Sequence, residues 1–158
     1  MSAEPLAEIA ERVREAFPSA FERTWEDRGD RHIQVKRDAI ANVCRFLKTE
    51  PGLDFDFLID LTAVDWAGQE PRFDIVYQLL SLAHNRRMTV HVRVPENDCR
   101  APTVTVVWRG ADWLEREVFD LFGIRFDGHP DLRRIVLPAD YEGYPLRKEF
   151  PLRGYHQI

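Results

Sequence analysis

Cysteine is nearly missing from this sequence of 158 residues: Cys44 and Cys99 are the whole supply. An iron-sulfur cluster or closed zinc site built on thiolates needs about four ligands, so the chain cannot hold one by itself. With no export signal in view, the two thiols are expected to be reduced and buried rather than bridged. Long apolar runs are also missing. The longest uncharged stretch, Ile75 to Asn85, falls well short of the roughly 20 residues that cross a bilayer. Positive charge is not in excess: 22 basic residues stand against 27 acidic ones, a net charge of -5, which argues against a nucleic-acid partner. Residues 1–9 carry acidic groups and no basic segment leading into an apolar one, so the expected place is the cytosol or a surface facing it.

Catalytic signatures are absent as well. His32, His84, His91, His129 and His156 do not fall in HExxH or a comparable spacing, and there is no GxGxxG, GxxxxGK[ST] or GxSxG. No catalytic, cofactor-binding or metal-ligating residue is assigned. What the chain does have is 44% hydrophobic and 31% charged residues, the balance of a soluble globular protein of one domain.

Leu6, Ile9, Val13 and Phe17 recur at helical spacing until Pro18, predicting a first helix over roughly Glu4 to Phe17. Phe21–Trp25 and Arg31–Val35 flank the turn-forming residues 27–30 and read as a hairpin. Ile40, Val43, Cys44 and Leu47 mark a second helix ended by Pro51 and Gly52, with Cys44 on its buried face. The period then changes to two. Segments beginning at Phe57, Phe73 and Met88 alternate as strands, and the short links 65–71 and 83–87 make them an antiparallel meander. Residues 104–108 fit either a helical turn or a fourth strand. Asp112, three residues before Glu115, resembles a capping box for a third helix over Asp112 to Phe122. The expected fold is α+β: a small, mostly antiparallel sheet with helices packed on it, over residues 1–122, followed by a long irregular C-terminal extension over 123–158.

That extension carries Gly123, Gly128, Gly143 and Gly154, and Pro130, Pro138, Pro145 and Pro151. Such residues break helices and remove donors from interior strands. The same segment holds Phe126, Leu132, Ile135, Tyr141, Tyr144, Phe150 and Tyr155, too much apolar area for a disordered tail. Either it straps its own domain or its apolar side chains lie on another protein, with Arg133, Arg134, Arg147 and Lys148 at the polar margin; the second reading is preferred. On the third helix, Glu115, Glu117 and Asp120 place carboxylates close together. They could serve acid-base or metal chemistry, with His91 or His129 as a helper in an independent enzyme. The simpler account is an Arg116–Asp120 pair at i, i+4, with Glu115 serving the helix start.

The run WLEREVFDLFGIRFDGHPDLRRI over residues 113–135 and GYPLRKEFPL over residues 143–152 closely resemble the signature of the 30 kDa subunit family of proton-pumping NADH:quinone oxidoreductase, respiratory complex I. Residues 60–66 are similar to the family's central region. The resemblance implies a non-catalytic peripheral-arm subunit on the cytoplasmic face of a bacterial cell membrane. It implies two partners, the quinone-site subunit and the cluster-bearing subunit of the complex, with NADH, FMN, iron-sulfur clusters and quinone all held outside this chain. The expected partner-facing residues are Glu115, Arg116, Glu117, Asp120 and Phe122 on the helix. On the extension they are His129, Arg133, Arg134, Tyr144, Pro145, Leu146, Arg147, Lys148 and Phe150. Tyr144 stands where the family commonly has His, and Tyr141 where it has Trp. The same features suit the equivalent subunit of a membrane-bound hydrogenase, a deazaflavin-dependent dehydrogenase or a ferredoxin-linked complex, which only the accompanying subunits would tell apart.

Overall fold

The computed structural model describes residues 5–155. Helix α1 spans Leu6–Ala16 after Pro5; Glu4, the expected start, lies outside the described residues. Its stripe of Ile9, Ala10 and Val13 is buried. The hairpin consists of β1 (Phe21–Asp27) and β2 (Asp30–Val35). Arg28 and Gly29, both at positive φ, form the two-residue turn whose twist suits a tight hairpin. Helix α2 (Ile40–Thr49) buries Ile40, Val43, Cys44 and Leu47, as its period requires.

The meander follows as β3 (Phe57–Asp65), β4 (Phe73–Ser81) and β5 (Arg86–Val94). The five strands form one sheet in the order β1-β2-β5-β4-β3. Its one parallel pairing joins β2 to β5, because α2 and the first two meander strands intervene between them. Phe73, Ile75, Tyr77 and Leu79 alternate inward beside Met88, Val90, Val92 and Val94, and these rows share one core with the buried stripes of all three helices. On the opposite row of β5, Thr89, His91 and Arg93 are only partly covered. That row follows the half-wet pattern common in antiparallel sheets.

A second, two-stranded parallel sheet pairs β6 (Arg100–Pro102) with β7 (Arg125–Asp127). Strands of three residues are too short to show a period, so neither was legible in the sequence. Residues 104–108 form a turn: the amides of Val107 and Trp108 both donate to Val104 O at 3.0 Å. Helix α3 spans Ala111–Phe122 and ends at Gly123 in the left-handed conformation. Ile124 and Phe126, just past it, are buried in the core.

The expected capping box is not formed. Gly110 occupies the N-cap with no side-chain hydrogen bond, and Glu115 turns into the interior. Thr103 Oγ1 donates to the Glu115 carboxylate at 2.6 and 2.8 Å, and Val104 N donates to Oε1 at 2.9 Å. The carboxyl therefore stitches α3 to the loop after β6. Burial pushes its pKa up from 4.5 to about 7, outweighing those hydrogen bonds, and Asp112 adds to the rise. A raised folded-state value means that stability from this group is complete below pH 4.5 and is lost as pH rises through about 7. At roughly 1.4 kcal/mol per pKa unit, the loss is on the order of 3 kcal/mol. Urea denaturation across pH 4.5 to 8 is expected to show this decline in the native chain and a flatter profile in Glu115→Gln.

A candidate docking strap along helix α3

Past β7, the described residues contain no further helix or strand. A backbone without a ladder must find partners for its amides elsewhere, and α3 supplies them at successive turns. The buried side chain of His129 donates from Nε2 to Asp112 O at 3.1 Å, while its Nδ1 accepts from Asp131 N at 2.9 Å. One turn on, Arg116 Nε donates to Arg133 O at 3.2 Å, its guanidinium 4.8 Å above the Trp113 ring. A further turn on, Asp120 Oδ2 accepts from the amides of Ile135, Val136 and Leu137 at 3.1, 2.8 and 2.9 Å. Its Oδ1 takes Arg134 Nη1 at 2.8 Å. Asp112, Arg116 and Asp120 recur at i, i+4 and i+8, so one stripe of the helix holds the chain laid beside it. The expected Arg116–Asp120 pair gives way to this arrangement, since each side chain has a better partner on the strap.

The strap next turns across the end of α3. Leu146 N donates to Leu121 O at 3.0 Å and Arg147 Nε to Phe122 O at 2.6 Å. These satisfy carbonyls that a helix C-terminus leaves open and put a cation at its negative end. The Arg134 guanidinium lies 5.1 Å from the Tyr144 ring, and Arg147 stacks between Tyr144 at 4.9 Å and Phe73 at 5.0 Å. A Cβ on Gly123 would lie 2.7 Å from Tyr144, so glycine is needed there for space as well as for its positive φ.

A third tether joins the strap to the sheet. Lys148 N donates to Asp65 Oδ2 at 2.8 Å. Asp65 is held in a bidentate pair by Arg72, with both contacts at 2.7 Å, and Arg72 also binds Glu149. The Arg72 hydrogen bonds keep the Asp65 carboxyl below the usual carboxylate range, against its burial.

The expected partner-facing residues therefore divide. Glu115 and Phe122 belong to the core; Arg116, Asp120, His129, Arg134, Tyr144 and Arg147 hold the strap in place; Pro145 and Phe150 are half-buried. Glu117, Arg133, Leu146 and Lys148 remain exposed. Beside them Trp113 is 64%, Val136 57% and Leu146 50% exposed, with Leu152 and Tyr155 open beyond. Trp113, Val136 and the Asp65–Arg72–Glu149 tether were not among the expected site residues. Arg116 and Asp120, four apart on one helix face, were the only part of this track visible in the sequence; the carbonyl of Asp112 and the sheet tether, made across 77 residues between Arg72 and Glu149, left no signal there. Among the described residues no three His, Cys, Asp or Glu side chains are grouped to hold a metal ion. The arrangement offers a supported apolar surface with a charged margin.

A family model described as "Respiratory-chain NADH dehydrogenase, 30 Kd subunit" matches residues 33–156. An NADH-quinone oxidoreductase subunit of Roseiflexus sp. (strain RS-1) is 47% identical over 146 residues, covering 92% of this chain and 84% of the relative. Its counterpart in Geobacter sulfurreducens is 44% identical over 144 residues, covering 90% and 88%. Among solved structures, the trypsin-resistant fragment (1–134) of Nqo5 superposes with a TM-score of 0.66 at 34% identity, over 82% of this chain and 100% of that one. A chain of the membrane-bound sulfane sulfur reductase, an archaeal respiratory membrane complex, superposes with a TM-score of 0.75 at 29% identity, over 94% and 87%.

Burial alone would raise the Asp120 pKa, but three amides and Arg134 outweigh it and the net shift is downward. The stability it contributes is present above its ordinary value of 3.8 and is lost as pH falls through the folded-state value. Asp120→Ala strands Arg134 and three amides, and is expected to lower stability by about 3 kcal/mol. Hydrogen exchange at Ile135, Val136 and Leu137 is expected to accelerate in that variant while the core strands stay protected.

Proposed function

The chain belongs to the 30 kDa subunit family of respiratory-chain NADH dehydrogenase, and from that premise we propose that it serves the NADH:quinone oxidoreductase by position rather than by chemistry. Its strap docks on neighbours in the peripheral arm: the quinone-site subunit first, with the cluster-bearing subunit nearby. NADH, FMN, iron-sulfur clusters and quinone reside in those and other subunits. Electron transfer falls steeply with distance, so a subunit that fixes the spacing of cluster and quinone sites contributes through preorganisation.

The observation that carries this reading is the pairing of exposed apolar side chains with buried tethers. Val136 is 57% exposed, yet its amide is locked on Asp120; Leu146 is 50% exposed, yet its amide is locked on α3. A strap ordered in advance loses little entropy on association, and that raises affinity without new contacts. The trypsin resistance named for the Nqo5 fragment, which aligns with 82% of this chain, supports a body that holds together apart from the assembly.

No helix of the described residues is long and apolar enough to cross a membrane. Attachment to the cytoplasmic face of a bacterial membrane is accordingly proposed to come through the assembly. The likeness to the sulfane sulfur reductase chain favours a second reading, in which the chain serves a related respiratory complex with another electron donor. The subunits that accompany it under gentle detergent extraction distinguish the two.

Truncation after Gly128 keeps β7 and the core, so circular dichroism and cooperative unfolding are expected to persist. Co-purification with the tagged quinone-site and cluster-bearing subunits is expected to fall at least tenfold. The full-length variants Val136→Asp and Leu146→Asp are expected to keep native stability within about 0.5 kcal/mol, as exposed sites do, and to lose the same co-purification. Normal yield of the complex with either variant or the truncation would overturn the docking role.

A further inference from the structure

On the sheet face opposite the main core, a row of three rings on three strands ends at a carboxylate on a fourth. Arg23 of β1 lies 4.3 Å above the Trp25 ring. Trp25 stacks on His32 of β2, with centroids 5.2 Å apart and planes at 10°. His32 Nδ1 is 2.8 Å from Nε2 of His91 on β5, and His91 Nδ1 is 2.9 Å from Oδ2 of Asp74 on β4. Asp74 is only 8% exposed, and its Oδ1 has no hydrogen-bond partner. The buried carboxylate thus concentrates its demand for a donor on His91.

The protonation pattern follows from those contacts. A carboxylate oxygen only accepts, so His91 carries its proton on Nδ1. His91 Nε2 is then a lone pair, so His32 must donate to it from Nδ1, and His32 Nε2 is left as a lone pair in turn. We propose that Asp74, His91 and His32 form a single-proton switch that reverses the hydrogen-bonding polarity of this face. At neutral pH His32 Nε2 accepts a hydrogen bond. In acid it takes a proton from solvent, the Nδ1 proton of His32 passes to His91 Nε2, and His32 Nε2–H becomes a donor. The added charge rests on His91 as an imidazolium against the Asp74 carboxylate, where a buried anion most needs it. One proton enters and one positive charge appears, so the balance is complete.

The surrounding charges allow this. His32 and His91 line a cleft of about 240 Å³ with Asp27, Arg28, Asp30 and Arg87. Burial and the neighbouring His91 lower the pKa of His32, while Asp27, Asp30 and Asp74 pull it upward. On the strands packed to either side, Arg93 faces Asp74 in register, and Asp60 of β3 stands opposite Gln78. Only His91 touches the Asp74 carboxylate, at 2.9 Å, and contact with that anion rather than exposure places the extra charge on the inner ring. A partner group that donates to His32 at neutral pH would be met by another donor in acid, which gives the face a built-in pH dependence independent of the strap.

The test is long-range proton–nitrogen NMR of the histidine rings in the full chain. At pH 8 both His32 and His91 are expected as Nδ1–H tautomers, the less common form for an unconstrained ring. On acidification, His91 becomes doubly protonated and His32 converts to Nε2–H at one shared midpoint. Asp74→Asn removes the carboxylate charge and is expected to lower that midpoint by about one pH unit or more. His91→Phe is expected to free His32, which then titrates alone from the Nε2–H tautomer. An Nε2–H tautomer of His32 at pH 8 in the native chain would overturn the switch. So would two separate midpoints, or a midpoint that Asp74→Asn leaves in place.

Discussion

A carboxylate sealed under a segment with no regular structure is the constraint on which the C-terminal quarter depends. Asp120 has no exposure to solvent. Its two oxygens accept from three consecutive amides and one guanidinium. An irregular chain laid on a protein surface ordinarily relies on water for its amides. Here a single side chain stands in for both the water and the missing ladder. With residues 134–137 immobilised, Tyr144 and Arg147 come to rest over Gly123, and the end of α3 is capped by the strap it guides. Helix and strap are thereby joined by one continuous set of hydrogen bonds.

The same helix shows how burial is decided by what surrounds a charge. Glu115 and Asp120 are both wholly buried, five positions apart. Burial raises the carboxyl pKa of each, yet Glu115 ends high and Asp120 low. Glu115 meets a hydroxyl and amides but no cation, and Asp112 opposes it. Asp120 meets more amides together with Arg134. Hydrogen bonding to the charged form and an opposite charge are separate contributions, and only their sum outweighs desolvation. One carboxyl favours acid and the other favours neutral pH, so their demands on the fold oppose each other.

Many of the chain's arginines are engaged in holding segments together. Arg72, Arg134 and Arg147 each join a carboxylate or carbonyl to an aromatic face. The planar guanidinium suits both roles at once, which a lysine ammonium would not. Val136 and Leu146 meanwhile keep their side chains turned outward while their backbone is held.

Much of this was present in the residues themselves. Helical stripes in α1, α2 and α3, the alternation of β3, β4 and β5, and the two-residue turn at Arg28 and Gly29 are local patterns. Local patterns are legible because each residue's neighbours in space are also its neighbours in sequence. Family motifs also ran through residues 123–158, and their glycines and prolines pointed away from long elements; among the described residues, no helix or strand follows β7. Only the tertiary structure decided that β2 pairs in parallel with β5, that Glu115 turns inward instead of capping its helix, and that Asp120 reaches Arg134 rather than Arg116. It alone brought Asp65 and Arg72 to Glu149, and His32 and His91 to Asp74. Those contacts join residues far apart along the chain. A charge chooses among possible partners by distance and desolvation, and neither quantity exists until the sheet, the helix and the strap have come together.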